Sequence, residues 1–430
     1  MDIEIEIKLI IDASAVAKLP QWLSAWPTQH SAGRQLTNVY FDTDDNQLRR
    51  WDMGLRLRGF DERYEMTLKV QNDAVGGLHQ RQEYNVPLTQ PQLDLSLLPE
   101  DIWPAGTDFM QVQERLVPLF STHFVRETWL VTYPQCEVEV ALDRGEVVAG
   151  VRQQPLQEIE LELKSGERSA LLAFAMALAC HDGLRMTSLS KAARGYSLAQ
   201  DSLPQSPRAL PILRPAKNAS AEEGMLAALQ LALSQWQYHE ELWLQGNAEA
   251  INDIRQALKL VSDTFSLYSA LVPHRASATL RQALASLEAR IESEAVNPEQ
   301  CCFSAVWLTP KILLIDWLIS GSWRIYVSEK AVRQLQGPFK PFADIMLTRT
   351  AAALRAMFTT VLQPGQYQDK LSVLQHHLRC VRLLAGSYPP HQAEVWLEHW
   401  TALEQAIITA QEQILGVLAR RAVKQLPFWQ

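Results

Sequence analysis

Residues 1–11 read Met-Asp-Ile-Glu-Ile-Glu-Ile-Lys-Leu-Ile-Ile, so Glu4, Glu6 and Lys8 alternate with Ile3, Ile5, Ile7 and Leu9. A period of two sends alternate side chains to opposite faces of a strand, which puts the three charges on one face. The same alternation returns along the first half of the chain. Arg56 and Arg58 alternate with Leu55 and Leu57, and Glu65, Thr67 and Lys69 with Tyr64, Met66 and Leu68. Arg81 and Glu83, Arg126 and Thr128, then Glu137 and Glu139 follow in turn. Glu158, Glu160, Glu162 and Lys164 alternate with Ile159, Leu161 and Leu163. Extended segments are therefore expected near residues 3–11, 35–42, 53–60, 63–71, 80–87, 122–133, 136–143 and 155–164. Eight antiparallel strands suffice to close a barrel whose interior admits one small ligand. The expected fold of this half is α+β: an eight-stranded antiparallel β-barrel with flanking helices at 12–26, 98–119 and 166–182.

The composition of the polar face is what sets it apart from a solvated sheet surface. Side chains two apart on a strand lie roughly 6–7 Å from each other. One triplet such as Glu4-x-Glu6-x-Lys8 suits an exposed edge strand. A second carboxylate strand, Glu158-x-Glu160-x-Glu162, is different, because rows of like charge repel unless water, cations or metal separate them. Turned inward together, Glu4, Glu6, Glu158 and Glu160 would form an oxygen-rich site for one or two Mg²⁺ or Mn²⁺ ions. Lys8, Arg56, Arg58, Lys69, Arg81, Arg126, Lys191 and Arg194 would form a matching cage for phosphate oxygens. Arg offers a planar fork and Lys a compact point charge.

The chain of 430 residues has room for two or three domains, and its 47% hydrophobic content supports full cores. A net charge of -8 argues against general nucleic-acid binding. Asp2, Glu4 and Glu6 stand where a signal peptide would be positive, and no apolar run is long enough to span a membrane, so no leader and no membrane partner are expected. The odd number of cysteines, five, and the absence of C-x-x-C spacing fit reduced thiols in the cytoplasm and leave no zinc site. Ser202–Asn218 carries four prolines and reads as a linker. The expected division is 1–201 for the barrel domain, 202–217 for the linker and 218–430 for an all-α bundle. Helices are expected at 221–244, 248–271, 276–294, 303–321, 339–362, 368–386 and 392–426, with helical periodicity replacing the alternation. Trp22, Trp26, Trp51 and Trp103 read as packing, the His376–His377 pair as structural, and Asp42–Asp45 and Gly76–Gly77 as turns. No Walker loop, nucleophile elbow or Ser/His/Asp arrangement is present.

The ordered series Glu4-x-Glu6-x-Lys8, Tyr40-Phe41-Asp42, Leu55-Arg56-Leu57-Arg58, Glu65-x-Thr67-x-Lys69, Arg81-x-Glu83, Arg126-x-x-Trp129, Glu137-x-Glu139 with Asp143, Glu158-x-Glu160-x-Glu162 and Ser190-Lys191-x-x-Arg194-Gly195-Tyr196 resembles the CYTH superfamily, the triphosphate tunnel metalloenzymes. The resemblance covers about residues 1–200. It implies an eight-stranded tunnel and metal-dependent hydrolysis of inorganic tripolyphosphate to pyrophosphate and phosphate. Glu4, Glu6 and Lys8 are then the candidate catalytic groups. Other tunnel chemistry, thiamine triphosphate hydrolysis or adenylate cyclisation, is one alternative, and a non-catalytic polyphosphate-binding or interaction protein is another. The helical half resembles a CHAD domain, and the pairing is similar to bacterial two-domain inorganic triphosphatases. CHAD domains usually carry a basic helix opening on His and thought to hold polyphosphate. Here Asn252 stands in place of that His, Leu260 and Ser262 replace basic positions, and Lys and Arg only balance Asp and Glu over 218–430. The helical half is accordingly expected to serve a protein or polyphosphate partner, with weak affinity for the latter.

Overall fold

The computed structural model describes residues 2–60, 63–200, 206–292, 297–360 and 362–429, so the start of the expected linker, 202–205, lies outside the described residues. The chain forms two compact units, Met1–Ser206 with Ser293–Ile319, and Pro207–Glu292 with Ser320–Gln430. No helix among the described residues is long and apolar enough to cross a membrane.

The first unit is a closed barrel of β1 (Asp2–Ile11), β2 (Thr28–Thr43), β3 (Met53–Phe60), β4 (Arg63–Val75), β5 (Leu78–Leu88), β6 (Leu116–Tyr133), β7 (Cys136–Ala149) and β8 (Arg152–Gly166). Their order is β5-β4-β3-β2-β6-β7-β8-β1, and β1 pairs back onto β5. β1 closes the ring by dividing its length: Asp2–Ile7 pair with β5 and Glu6–Ile10 with β8, while Leu9–Ile11 take a short ninth strand, β9 (Leu184–Met186). Each of the eight expected strands is present. The register sets Lys8 opposite Glu160, Lys69 opposite Glu83, Arg126 opposite Asp143 and Asp143 opposite Glu158. The alternate residues Ile7, Leu9, Ile159 and Leu161 are fully buried on the other face. One charged face inside and one apolar face under the covering segments is the arrangement the alternation dictates.

Two segments differ from expectation. The insert 98–119 is not mostly helical: it holds one 3₁₀ turn, Glu100–Ile102, and one helix, Phe109–Glu114, before β6 begins at Leu116. Pro99, Pro104 and Gly106 interrupt any longer helix. Its apolar spacing instead serves packing, with Leu95, Leu98, Trp103 and Val112 buried against Leu55, Met66 and Leu68. The second difference is Ser293–Ile319, read from sequence as part of the bundle but grouped with the barrel. Three contacts explain this. Gly183 N–H donates to the Phe303 carbonyl at 2.6 Å, and Asp182 accepts from the Ala305 N–H at 2.8 Å. Arg185 stacks over the Phe303 ring at 5.7 Å.

The second unit contains the helices Ala221–Leu244, Ala250–Leu267, Ala278–Glu292, Phe339–Phe358 and Leu371–Leu384, close to their expected bounds. Ser220 and Glu223 form a reciprocal capping box that starts the first of them. The expected long terminal helix is broken into Pro390–Ile408 and Glu412–Val423, with Ala410 left-handed at φ 53° between them. Short helices at Glu329–Gln336 and Pro364–Asp369 were not foreseen.

Candidate active site in the barrel interior

The barrel encloses a cavity of about 890 Å³ lined by cations and carboxylates from most of its strands. Its ion pairs fall into two groups. In the first, Lys69 Nζ donates to both Glu4 oxygens at 2.7 and 2.9 Å and lies 2.5 Å from Glu83, whose other neighbour is Arg56 at 3.7 Å. In the second, Asp143, Glu158 and Glu160 offer oxygens within 4.8 Å of one another, and no other carboxylate trio among the described residues does so. Lys191 Nζ sits among all three, at 2.7, 2.5 and 3.0 Å. Arg126 forks onto Asp143 at 2.7 and 2.6 Å and reaches Glu160 at 2.6 Å. Lys8 joins Glu160 to Glu6, which it meets at 2.8 Å. Arg194 lies 3.0 Å from Glu158.

Every expected site residue is in or directly behind this interior, but not in the expected partnership. Glu158 and Glu160 group with Asp143, whereas Glu4 belongs to the Lys69 cluster. Glu6 is 1% exposed and does not line the cavity; it pairs with Lys8 and stands 3.6 Å from Arg81. Arg81 is in turn held by His79 Nδ1 at 3.2 Å. Glu158 and Arg194 also stand behind the lining.

The network fixes charge states. Burial raises the Glu4 carboxyl, but the charge and hydrogen bond of Lys69, with the charge of Lys8, together hold the group below its ordinary range. Glu83, also opposed by burial, is brought down to about 2 by Lys69 and Arg56. Glu160, against burial, falls far below the carboxylate range under Lys191, Lys8 and Arg126. Burial works against the Lys8 ammonium, yet Glu160 and Glu6 push its pKa well above the ordinary value. Glu162, which lines the cavity, goes the other way: burial raises it, and Lys164 only partly offsets this.

Arg58 stands apart. Its Nε donates to neutral Asn38 at 2.8 Å, and Asn38 is itself anchored on Thr122 at 2.9 Å. No carboxylate lies within 4 Å of it among the described residues. Burial, then the neighbouring Arg56 and Arg126, bring its pKa down to about 9. A part-buried guanidinium crowded by two others favours the approach of an anion.

Three residues had no assigned role from the sequence although their spacing carried a signal. Asp143 is in phase with Glu139 on β7, and Glu83 with Arg81 on β5. Asp42, read as part of a turn, is fully buried and in phase with Asn38 and Tyr40. The turn itself falls at Asp44–Asp45.

Residues 2–196 match the model of the CYTH domain, and residues 227–295 match that of the CHAD domain. The first 196 residues are a CYTH domain. An inorganic triphosphatase from Haemophilus influenzae is 39% identical over 196 residues, which make up 45% of this chain and 54% of that protein. The chain thus spans about half the length of this curated relative. Among solved structures, a Hippeastrum protein described as a candidate adenylyl cyclase with a dominant triphosphatase activity is 22% identical, with a TM-score of 0.35, covering 45% of this chain and 95% of that one. A candidate adenylate cyclase from Bacillus halodurans is 24% identical, with a TM-score of 0.29, covering 41% and 90%. In the CHAD segment, Asn252 donates to Glu249 at 3.0 Å and accepts from Arg255 at 3.0 Å, while Arg255 also donates to the Ile291 carbonyl at 3.2 Å. This basic residue is committed to its own helix pair.

Proposed function

We propose that the CYTH tunnel hydrolyses inorganic triphosphate to pyrophosphate and phosphate. The observation that carries the reading is Arg58: a part-buried cation with no carboxylate within 4 Å among the described residues, crowded by Arg56 and Arg126 in the lining of the cavity. Carboxylates partly pair the other cations, and phosphate oxygens can take over those pairings. Arg56, Arg58, Lys69, Arg81 and Arg126 bind the phosphates, with Arg194 supporting from behind. Lys8 and Lys191, both held protonated, neutralise charge that builds on the leaving oxygen.

The donor set also fits a hard divalent cation. Asp143, Glu158 and Glu160 supply clustered oxygens, and the buried Glu6 Oε1 and Glu158 Oε2 have no hydrogen-bond partner among the described residues. We place Mg²⁺ or Mn²⁺ on Glu158, Glu160 and Asp143, with Glu4 and Glu6 as further donors. Bound there, the ion would supply Lewis-acid neutralisation of phosphate oxygens. Water adds to the terminal phosphorus, the P–O–P bond breaks, and the water's proton needs an acceptor. The candidates for this step remain Glu4, Glu6 and Lys8; Glu160 and Glu6 hold Lys8 protonated and Lys69 lowers Glu4, which favours charge neutralisation as their part. Glu162, which lines the cavity, is a further carboxylate within the tunnel beside these candidates.

All five cysteines are free, which suits a reducing cytoplasm. For the helical unit we propose a protein partner, with polyphosphate bound weakly. Phosphate release from tripolyphosphate, pyrophosphate, ATP and thiamine triphosphate, with and without Mg²⁺, tests the reading. Tripolyphosphate should be the best substrate and should need the metal. Absence of release from it under every metal condition would overturn the proposal.

A further inference from the structure

The cavity opens beside the turn that follows β2, where Arg49, exposed to solvent, contributes to its lining together with Tyr196 of the helix Lys191–Ala199. The Arg49 guanidinium lies over the Tyr196 ring, 4.5 Å from its centroid. Stacking on a ring face leaves the N–H donors at the edge of the guanidinium free to meet an anion.

Both halves of this stack hang from one residue outside the cavity. Asp42 accepts from the Thr43 N–H at 2.7 Å, the Leu48 N–H at 2.8 Å, the Arg49 N–H at 3.0 Å and the Tyr196 hydroxyl at 2.6 Å. The helix is pressed close enough that a Cβ on Gly195 would fall 2.0 Å from Phe120 ring atoms, and Phe120 meets Tyr196 edge-on at 5.3 Å. Neither the ring nor the turn has room to drift.

The nearby acids are already taken. Arg50 pairs with Asp45 at 2.8 Å, and Arg115 with Asp44 and Asp45 at 2.8 and 2.6 Å. Asp52 lines the same opening, but no carboxylate lies within 4 Å of Arg49 among the described residues. Of two adjacent arginines, one is neutralised on the surface and the other faces the cavity with its charge uncompensated.

We propose that Arg49 is a substrate-binding residue that takes a non-bridging oxygen of the terminal phosphate at this opening, with Tyr196 and Asp42 as its positioning residues. The inference rests on the triphosphatase reading. It adds a contact at the end of the phosphate chain to those in the middle of the tunnel. An exposed cation of this kind acts mainly on capture, so it should govern KM and its dependence on salt more than kcat.

The test is steady-state hydrolysis of tripolyphosphate by the full chain at low and high ionic strength, for wild type, R49A, R49K, R50A, R56A and Y196F. R49A should raise KM about fivefold at low salt with little change in kcat, and should flatten the rise of KM with salt. R49K should recover part of the loss, because it keeps the charge without the stacked fork. Y196F keeps the ring but frees it from Asp42, and should raise KM less than R49A does. R50A should match wild type. If R49A shows the same KM and salt dependence as R50A while R56A is crippled, the role of Arg49 is overturned and the tunnel reading stands. If R56A is also fully active, the tunnel reading itself fails.

Discussion

The two units each bury an ionic cluster, and the clusters differ in how completely they close. In the helical unit, Asp263 accepts from His376 Nδ1 at 2.6 Å and from Arg379 Nε at 2.5 Å, and Arg379 turns its remaining fork onto Gln256 at 2.7 Å. Each carboxylate oxygen has its own donor. In the barrel, Arg126, Lys191 and Lys8 crowd Asp143, Glu158 and Glu160, yet Arg58 has no carboxylate within 4 Å among the described residues, and Glu6 Oε1 and Glu158 Oε2 face only Arg81 at 3.6 Å and Arg194 at 3.0 Å without a hydrogen bond. Desolvated charge is costly unless it is paired. A closed cluster is therefore a structural element, and an open one marks where a ligand completes the arrangement.

The comparison breaks most easily at Arg379. Replacing it with Ala leaves one Asp263 oxygen without its donor and His376 as the remaining partner, and loss of one partner of a buried pair costs up to about 3–5 kcal/mol. Urea unfolding of R379A should show that loss, while tripolyphosphate turnover by the variant at a temperature where it remains folded should match wild type. Arg58→Ala should do the reverse. It removes a part-buried cation that has no carboxylate within 4 Å among the described residues, so stability should hold or rise, whereas turnover should fall by the equivalent of about 1.5–3 kcal/mol for a lost charged hydrogen bond. A destabilised but fully active R58A would show that the open cluster is structural after all.

How much of this was legible follows from the range of each interaction. Strand positions and the inward cations were readable because alternation is local, and Glu158-x-Glu160-x-Glu162 cannot be mistaken for a helix face. The division of β1 among three partners was not readable, since it depends on closure. Asp42 looked like turn chemistry because Asp-Thr-Asp-Asp is a turn composition, while its decisive partner, Tyr196, is 154 residues away. The insert at 98–119 was misread because its apolar residues are spaced to cover β3 and β4. The grouping of Ser293–Ile319 with the barrel rests on contacts such as Asp182 to Ala305, 123 residues apart, which no local pattern reports.

That grouping yields the next prediction. A fragment of residues 1–206 lacks the segment that Asp182, Gly183 and Arg185 engage. It should keep the CYTH site residues but melt at lower temperature than a version carrying Ser293–Ile319 through a short linker. Losing two hydrogen bonds and one ring contact amounts to about 2–3 kcal/mol. Equal melting temperatures would place Ser293–Ile319 outside the barrel's energetic unit.

The smallest expected effect compares the two units through one histidine each. Burial, then Arg81 and Lys8, hold the His79 pKa at about 3 in the barrel. Burial, then His376, bring His377 in the bundle to about 4. In the unfolded chain both take up a proton near pH 6.5, whereas the folded chain resists until far lower pH. The unfolded state thus binds more protons below about pH 6.5, so stability is full above that value and falls as pH drops. The depressed carboxylate Glu83, at about 2, works in a separate window: its contribution is present above the ordinary carboxylate value of 4.5 and is lost only as pH falls from there toward 2. Between pH 6.5 and 5 the histidines are opposed only by carboxyls that burial raises, such as Glu162, whose folded form takes up its proton first and so gains stability as pH falls. Urea unfolding of wild type should weaken steadily across that interval. H79Q should remove part of the slope and H377Q another part, because a neutral amide cannot take up the proton. A stability that is flat from pH 7 to 5 in wild type would mean that neither histidine is held neutral by its surroundings. An unchanged slope in H79Q alone would instead restrict the effect to the bundle, and the interior of the barrel would then be more hydrated around His79 than its 3% exposure implies.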